Sequence, residues 1–139
     1  MKKLINISLT YAVFAMIGGV FYREFTKFNG FTQVTALGKV HTHLFLLGMF
    51  MFLITALFTA HLPVMQQKSF KAFLIVYNIG VPLSAVMMVV RGIVQVLNIS
   101  LSSAGSAAIS GIAGIAHILT GIGIVLLLLS LRKAAKDNL

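Results

Sequence analysis

Residues 108–131 have the sequence AISGIAGIAHILTGIGIVLLLLSL, and this segment decides the fold class. It contains no Asp, Glu, Lys or Arg, and His117 is its only titratable side chain. About 20 predominantly apolar residues in a helix cross the hydrocarbon core of a bilayer. Because lipid offers no hydrogen-bond partners to the backbone, such a spanning segment must be helical. The segment is therefore predicted to be a transmembrane helix.

Three further apolar runs of similar length precede it, at about residues 4–22, 38–62 and 72–97. The first run is long enough to span and lacks a small-x-small cleavage site, which favours a membrane helix over a signal peptide. The sequence therefore predicts one all-α domain over residues 1–139. We expect an integral membrane four-helix bundle.

The composition indicates that lipid contacts most of the surface of this protein. Apolar residues make up 59% of the chain and charged residues 9%, with a mean hydropathy of +1.02. An ordinary soluble domain has about 25% charged residues. The net charge is +9, but most of the basic residues sit at the ends of apolar runs and form no basic face, so nucleic-acid binding is not expected. The absence of cysteine excludes disulfides, thiolate chemistry and iron–sulfur clusters.

The distribution of basic residues predicts the orientation. Seven lie on the side of the two termini: Lys2, Lys3, Lys68, Lys71, Arg132, Lys133 and Lys136. Three lie on the other side: Arg23, Lys27 and Lys39. Because basic residues concentrate in cytoplasmic loops, both termini are predicted to be cytoplasmic. We expect a multi-pass protein of a bacterial cytoplasmic membrane.

Arg91 is a charged residue inside the third predicted span. Insertion scales assign about 3 kcal/mol to an arginine at such a depth. It shares a helical stripe that should face the bundle interior, formed by Tyr77, Ser84, Met88, Arg91, Gln95 and Asn98. Glu24, at the outer end of the first span, or a bound anion would neutralise it, because Asp137 lies at the opposite end. The alternative is that Arg91 snorkels to the outer interface.

Of the four histidines, His117 lies deep in an apolar helix, whereas His61 is an ordinary residue at the end of the second span. The face of the helix around His117 carries Ser110, Gly114 and Gly121. These small residues leave room for a flat ligand beside the helix. Alternatively, they allow a neighbouring helix to pack closely.

His41 and His43 form an H-x-H motif. Residues two apart on a helix point about 200° away from each other, so the pair serves two opposite faces. One histidine then binds a ligand, while the other binds a second ligand, forms a hydrogen bond or faces a partner subunit. If the second helix starts at Gly38 and the fourth near Ser110, His43 and His117 lie about 8 and 11 Å below the outer boundary. Arg91 lies at about 9 Å by the same rule, so the three residues should converge.

A haem would account for this convergence. Neutral imidazoles on facing helices are suitable axial ligands for its iron. Its propionates would pair with Arg91, and with Arg23 or Lys39. The sequence predicts a b-type haem in the outer half of the bundle, for electron transfer or for binding a diatomic gas. Such a haem would also allow redox activity. The predicted cofactor-binding residues are His41, His43, His117, Arg91, Arg23, Gly114 and Gly121. The predicted iron ligands are His43 and His117, with His41 as the alternative.

Residues 41–50, HTHLFLLGMF, resemble H-x-H-x-x-x-x-G segments of haem–copper oxidase large subunits and of bacterial nitric-oxide-response membrane haem proteins. In the oxidases such a motif ligates two haems on opposite faces of one helix. This chain lacks the further helices and copper-binding histidines of those proteins, so oxygen reduction is not implied. Over nearly its whole length the chain resembles a family of small bacterial four-span proteins of unknown function. That resemblance rests on residues 19–27, 41–44, 77–80 and 106–114 and on His117.

Two other functions are compatible with the sequence. Histidines together with Met49, Met51, Met87 and Met88 would suit a copper or zinc binding or transport protein. A cofactor-free accessory membrane subunit is the third possibility, but it leaves Arg91 and His117 without a common explanation. We also expect a homo-oligomer, since H-x-H leaves one histidine pointing out of a small bundle, and a quinol or another redox partner.

Overall fold

The computed structural model describes residues 1–137, most of which belong to four long helices. We name them α1 (Lys2–Phe28), α2 (Leu37–His61), α3 (Lys68–Val96) and α4 (Ser103–Lys136). A 3-10 turn, Val64–Gln66, connects α2 to α3. Residues 1–137 contain no strand, and all four helices are long and apolar enough to cross a membrane. The predicted all-α, four-span membrane fold is confirmed.

The helix ends differ from the predicted ones by up to six residues. α1 continues to Phe28 because charged residues at a membrane interface do not interrupt a helix, although they end its apolar run. α4 begins at Ser103, where the Ser102 hydroxyl accepts a hydrogen bond from the Gly105 amide at 3.1 Å. The assumed start near Ser110 is therefore wrong by about two turns. The depth of His117 must come from its contacts and not from that count.

The two ends of the described chain lie on one side of the bundle, which we call the terminal side. The Met1 amino nitrogen lies 3.9 Å from the sulfur of Met65, and Gln67 Nε2 donates to Asp137 Oδ2 at 3.0 Å. The α1–α2 and α3–α4 connections lie on the other side, the loop side. α1 packs along α2, α2 contacts α3, and α3 packs along α4.

This order of packing leaves two grooves. The α1–α3 groove runs between α1 and α3, with part of α2 contributing to its lining. The α2–α4 groove lies on the side where α2 and α4 do not pack together. Its lining residues belong to α3 and α4, apart from Ala36, which directly precedes α2. Few backbone contacts link α1 with α3 or α2 with α4, so neither groove is closed by helix packing.

An aromatic cluster of Tyr11, Phe52, Phe73 and Tyr77 joins α1, α2 and α3. The ring of Phe52 is 0% exposed and stacks on Tyr11 at 5.6 Å between centroids. It lies 5.8 Å from both Phe73 and Tyr77. Aromatic pairs at such distances are favourable beyond their buried area. The cluster therefore fixes how these three helices pack.

α2 is not a uniform α-helix, because residues Leu44–Phe50 form a π-helix directly after His43. The wider turn exposes carbonyls that accept side-chain hydrogen bonds. Tyr77 Oη donates to the Leu47 carbonyl at 2.7 Å, and Ser8 Oγ donates to the Met49 carbonyl at 2.8 Å. Such adjustments satisfy backbone groups inside a membrane, and π segments often occur at functional sites.

Candidate functional site

His43 on α2 and His117 on α4 face each other across the opening between the two helices. Their ring centroids are 6.4 Å apart, and the ring planes meet at 81°. The two residues are 74 positions apart in sequence, so only the fold brings them together. His117 is exposed and His43 is half-buried, which leaves both imidazoles reachable from the membrane.

The two imidazoles are held in the same way. His43 Nδ1 lies 3.2 Å from the Lys39 carbonyl oxygen, and His117 Nδ1 lies 2.8 Å from the Ala113 carbonyl oxygen. A carbonyl only accepts, so Nδ1 must carry the hydrogen in each hydrogen bond. The neutral rings then have their lone pair on Nε2. A hydrogen bond from the other ring nitrogen to a carbonyl is what orients most metal-binding histidines.

The separation of the two ring centroids can be compared with that of two histidines that share a metal ion. A bound ion lies about 2 Å from each imidazole nitrogen, and each nitrogen lies about 1 Å from its ring centre. Two opposed imidazoles sharing an ion therefore have centroids about 6 Å apart. The 6.4 Å between His43 and His117 is close to this value.

Arg91 lines the α2–α4 groove, together with His117. Its guanidinium donates to Ser110 Oγ at 2.6 Å, so the cation is directed toward α4 and away from α1. The groove has a volume of about 310 Å³, and Ser84, Met87 and Met88 also line it. Four polar residues from α3 and α4 thus share one concave surface beside His43.

Glu24 does not neutralise Arg91 in this structure. Its Oε1 lies 3.7 Å from Nε of Arg23, the preceding residue on α1. Both side chains are solvent-accessible, at 80% for Arg23 and 40% for Glu24. Arg23 is absent from the residues that line the α2–α4 groove. The sequence suggested two anions that would neutralise Arg91, namely Glu24 and a bound ligand. Because Glu24 lies beside Arg23, the bound ligand remains as the candidate.

His41 points away from His43, as the helical offset predicts. A side chain at Gly19 of α1 would come within 3.7 Å of the His41 Cβ, so His41 packs toward α1. Its Nδ1 is buried without a hydrogen-bond partner, and its Nε2 lies 3.4 Å from the Thr42 hydroxyl. The structure therefore pairs His117 with His43 and not with His41.

Gly114 and Gly121 lie on the same open face of α4 as His117. Within 4 Å of a Cβ built at either glycine there is no neighbouring atom. The two glycines therefore keep the surface beside His117 flat and uncovered. His61 is exposed at the last residue of α2, on the terminal side, as expected of an interfacial residue.

The start of α2 is fixed against α3 by contacts that the sequence did not predict. Thr35 Oγ1 donates toward Gln95 Oε1 at 3.1 Å, and the Ala36 amide donates to the same oxygen at 2.8 Å. A Cβ at Gly92 would lie 2.7 Å from the Leu37 amide nitrogen, so only glycine fits there. Gln95 was predicted to face inward but is exposed, and nothing in the sequence identified Thr35 as its partner.

The predicted polar stripe of α3 faces inward over most of its length. Tyr77 and Ser84 are buried, and Met88 and Arg91 are half-buried. Asn98 ends the stripe outside the helix with a φ of 51°, in the left-handed region that asparagine tolerates. Burial thus decreases from the terminal side toward the loop side, where the α2–α4 groove opens.

Comparison with known proteins supplies a family. A family model described as "Protein of unknown function (DUF2871)" matches residues 1–134. The chain belongs to the DUF2871 family. No curated protein and no solved structure matches the chain significantly. The match covers all four helices and every candidate site residue, so the site described above lies within the region that defines the family.

Proposed function

We propose that the chain is a b-type haem protein of the membrane, whose iron is held between His43 and His117. The observation that supports this most directly is the paired geometry of the two imidazoles. Their centroids are 6.4 Å apart, and the Nδ1 of each is occupied by a carbonyl of its own helix. Two imidazoles with free Nε2 atoms are the axial ligands of a low-spin haem.

Haem fits the available donors better than a bare metal ion. Within residues 1–137 there is no group of three or more His, Asp or Glu side chains that would hold one. Structural zinc takes four ligands and catalytic zinc takes three from the protein. A porphyrin brings four nitrogens of its own, so two histidines suffice. This argument disfavours the zinc alternative.

Arg91 supports a ligand with negative charge. It is half-buried beside His117, and its nearest polar contact is a neutral hydroxyl, Ser110 Oγ at 2.6 Å. Charge-assisted hydrogen bonds from arginine to a carboxylate are roughly twice as strong as neutral ones. A propionate reaching the α2–α4 groove would gain both the guanidinium and the hydroxyl as donors.

Two histidine ligands favour electron transfer over gas binding. When bound, the haem would supply a one-electron redox couple. Because His43 and His117 would both hold the iron, nitric oxide or oxygen would have to displace a histidine. The surrounding residues do the remaining work. The Lys39 and Ala113 carbonyls hold the orientations of the His43 and His117 rings.

The setting of the protein follows from its charges and its open face. We place it in a bacterial cytoplasmic membrane with both termini in the cytoplasm, because basic residues concentrate on the terminal side. We also propose a homo-oligomer, in which a neighbouring copy covers the exposed side of α4 around Gly114 and Gly121. The uncovered glycines support this arrangement, since small residues let helices approach closely in a membrane.

An absorption spectrum tests the haem directly. Protein purified with adequate haem supply should show a Soret band that shifts on reduction with dithionite, with a low-spin ferric spectrum. His117→Ala should lose haem or turn it high-spin, and added imidazole should partly restore the spectrum by entering the space of the missing ring. His43→Ala should behave similarly.

His61→Ala is the matched control, because His61 lies at the terminal-side end of α2 and should leave the spectrum unchanged. A protein that stays colourless and cannot be reconstituted with haem contradicts the proposal. A His117→Ala variant with full haem and an unchanged low-spin spectrum removes His117 from the site.

A further inference from the structure

The α1–α3 groove is a second concave surface, distinct from the one beside His117. Its volume is about 600 Å³, within the range of small-molecule pockets. Its lining is almost wholly apolar and includes Phe14 and Gly18 of α1 and Val86 and Val90 of α3. Such an apolar surface in a membrane is compatible with any hydrocarbon chain. The polar atoms of the groove must therefore indicate which ligand it binds.

The polar atoms gather at one end, around Asn78 and Tyr11. Tyr11 Oη donates to Asn78 Oδ1 at 3.1 Å, and Asn78 Nδ2 donates to the Leu74 carbonyl at 2.8 Å. The amide nitrogen has two hydrogens, so one remains for a ligand. Pro82 lies four residues further on, and it has no N–H to donate to the Asn78 carbonyl. Asn78 therefore offers both a donor and an acceptor to the groove.

The position of Asn78 in the membrane narrows the choice of ligand. It lies ten residues from the first residue of α3, about 15 Å along the helix. A phospholipid head group stays at the interface and does not reach that depth. From Asn78 the groove continues along α3 to Val90, a distance of about 18 Å. The ligand should therefore have a neutral ring with hydrogen-bonding oxygens and a long apolar tail.

We propose that the α1–α3 groove binds an isoprenoid quinone or its quinol, with the ring at Asn78 and the tail running toward the loop side. The Asn78 amide hydrogen would be donated to a quinone carbonyl, and the Asn78 main-chain carbonyl would accept from a quinol hydroxyl. Tyr11 holds the Asn78 amide in place from across the groove. A redox role for this ligand rests on the proposed haem function, but its binding does not.

Binding is tested on the full-length protein in detergent micelles without added haem. Native mass spectrometry would compare two probes over a range of concentrations, a decyl-substituted benzoquinone and decylbenzene. They share the tail and a planar six-membered carbon ring, and only the first has oxygens. We expect the benzoquinone to bind at least tenfold more tightly to the wild-type protein. Asn78→Leu should remove that preference and leave the affinity for decylbenzene unchanged.

Asn6→Leu is the matched control, since Asn6 is an exposed amide on α1 outside the groove lining. It should keep the full preference. Equal binding of both probes to the wild-type protein would overturn the proposal even if Asn78→Leu fails to fold. A preference that survives in folded Asn78→Leu would overturn it as well. Because the readout is ligand mass and not a Soret band, these results are separate from those on haem.

Discussion

Gly92→Ala should displace the start of α2 from α3. A Cβ at this position would lie 2.5 Å from Leu37 Cγ and 2.7 Å from the Leu37 amide nitrogen. The Cγ atom can rotate away, but the backbone nitrogen cannot. It must move by about 0.7 Å, from 2.7 Å to the 3.4 Å of an ordinary contact. Overpacking of this kind costs about 1–3 kcal/mol of stability.

The same shift should reach the proposed iron site. His43 is six residues beyond Leu37 on the same helix, and metal–ligand distances tolerate changes of only about 0.2 Å. We therefore expect haem affinity to fall at least tenfold, together with a lower temperature of unfolding. Circular dichroism in detergent would measure the unfolding, and haem titration followed at the Soret band would measure the affinity.

Gly111→Ala is the control for this experiment, because it makes the same exchange on α4 where a Cβ meets nothing within 4 Å. It should leave stability unchanged or raise it by up to about 1 kcal/mol, since alanine favours a helix more than glycine does. If Gly92→Ala and Gly111→Ala behave alike in both measurements, the packing of Leu37 on Gly92 does not position His43.

Four further outcomes follow from the structure. Arg91→Ala should accelerate haem loss about tenfold without changing the low-spin spectrum, as measured by haem transfer to an acceptor protein. Arg23→Ala should leave both the rate of haem loss and the spectrum unchanged. Since the rings of His43 and His117 meet at 81°, the ferric haem should give a single low-spin electron paramagnetic resonance signal at large g; a rhombic three-line spectrum would show that the rings reorient. A reporter that is active only outside the membrane, fused after residue 139, should stay silent, and strong external activity would refute the orientation. Native mass spectrometry in mild detergent should show oligomers, and a population of monomers alone would contradict the proposed covering of α4.

The hydropathy of the chain predicted the four helices because lipid admits few alternatives to a spanning helix. It did not predict their ends. Residues 23–28 are charged or polar enough to end an apolar run, yet α1 continues through them. The π-helical turn at Leu44–Phe50 also left no signal, because its residues are ordinary apolar ones. It depends on hydroxyl donors from Ser8 and Tyr77, which are distant in sequence.

The candidate site was predicted in part. The periodicity of α3 placed Arg91 among inward-facing residues, and the 200° offset separated His41 from His43. The partner of Arg91 was not predicted, because a serine two turns before His117 gives no sign of which helix it meets. The contacts of Thr35 and Gln95 depend on how α2 approaches α3, which a single sequence does not reveal. The roles of these residues toward haem stay predictions.

The π-helical turn joins two stretches of α2 and changes the rotational phase between them. The stretch before it is oriented by α3 at Gly92 and Gln95, and the stretch after it by the rings around Phe52. An uninterrupted α-helix over the same residues would give His43 a different direction relative to Phe52. With the wider turn between them, Phe52 meets the rings of α1 and α3 while His43 lies beside His117 of α4.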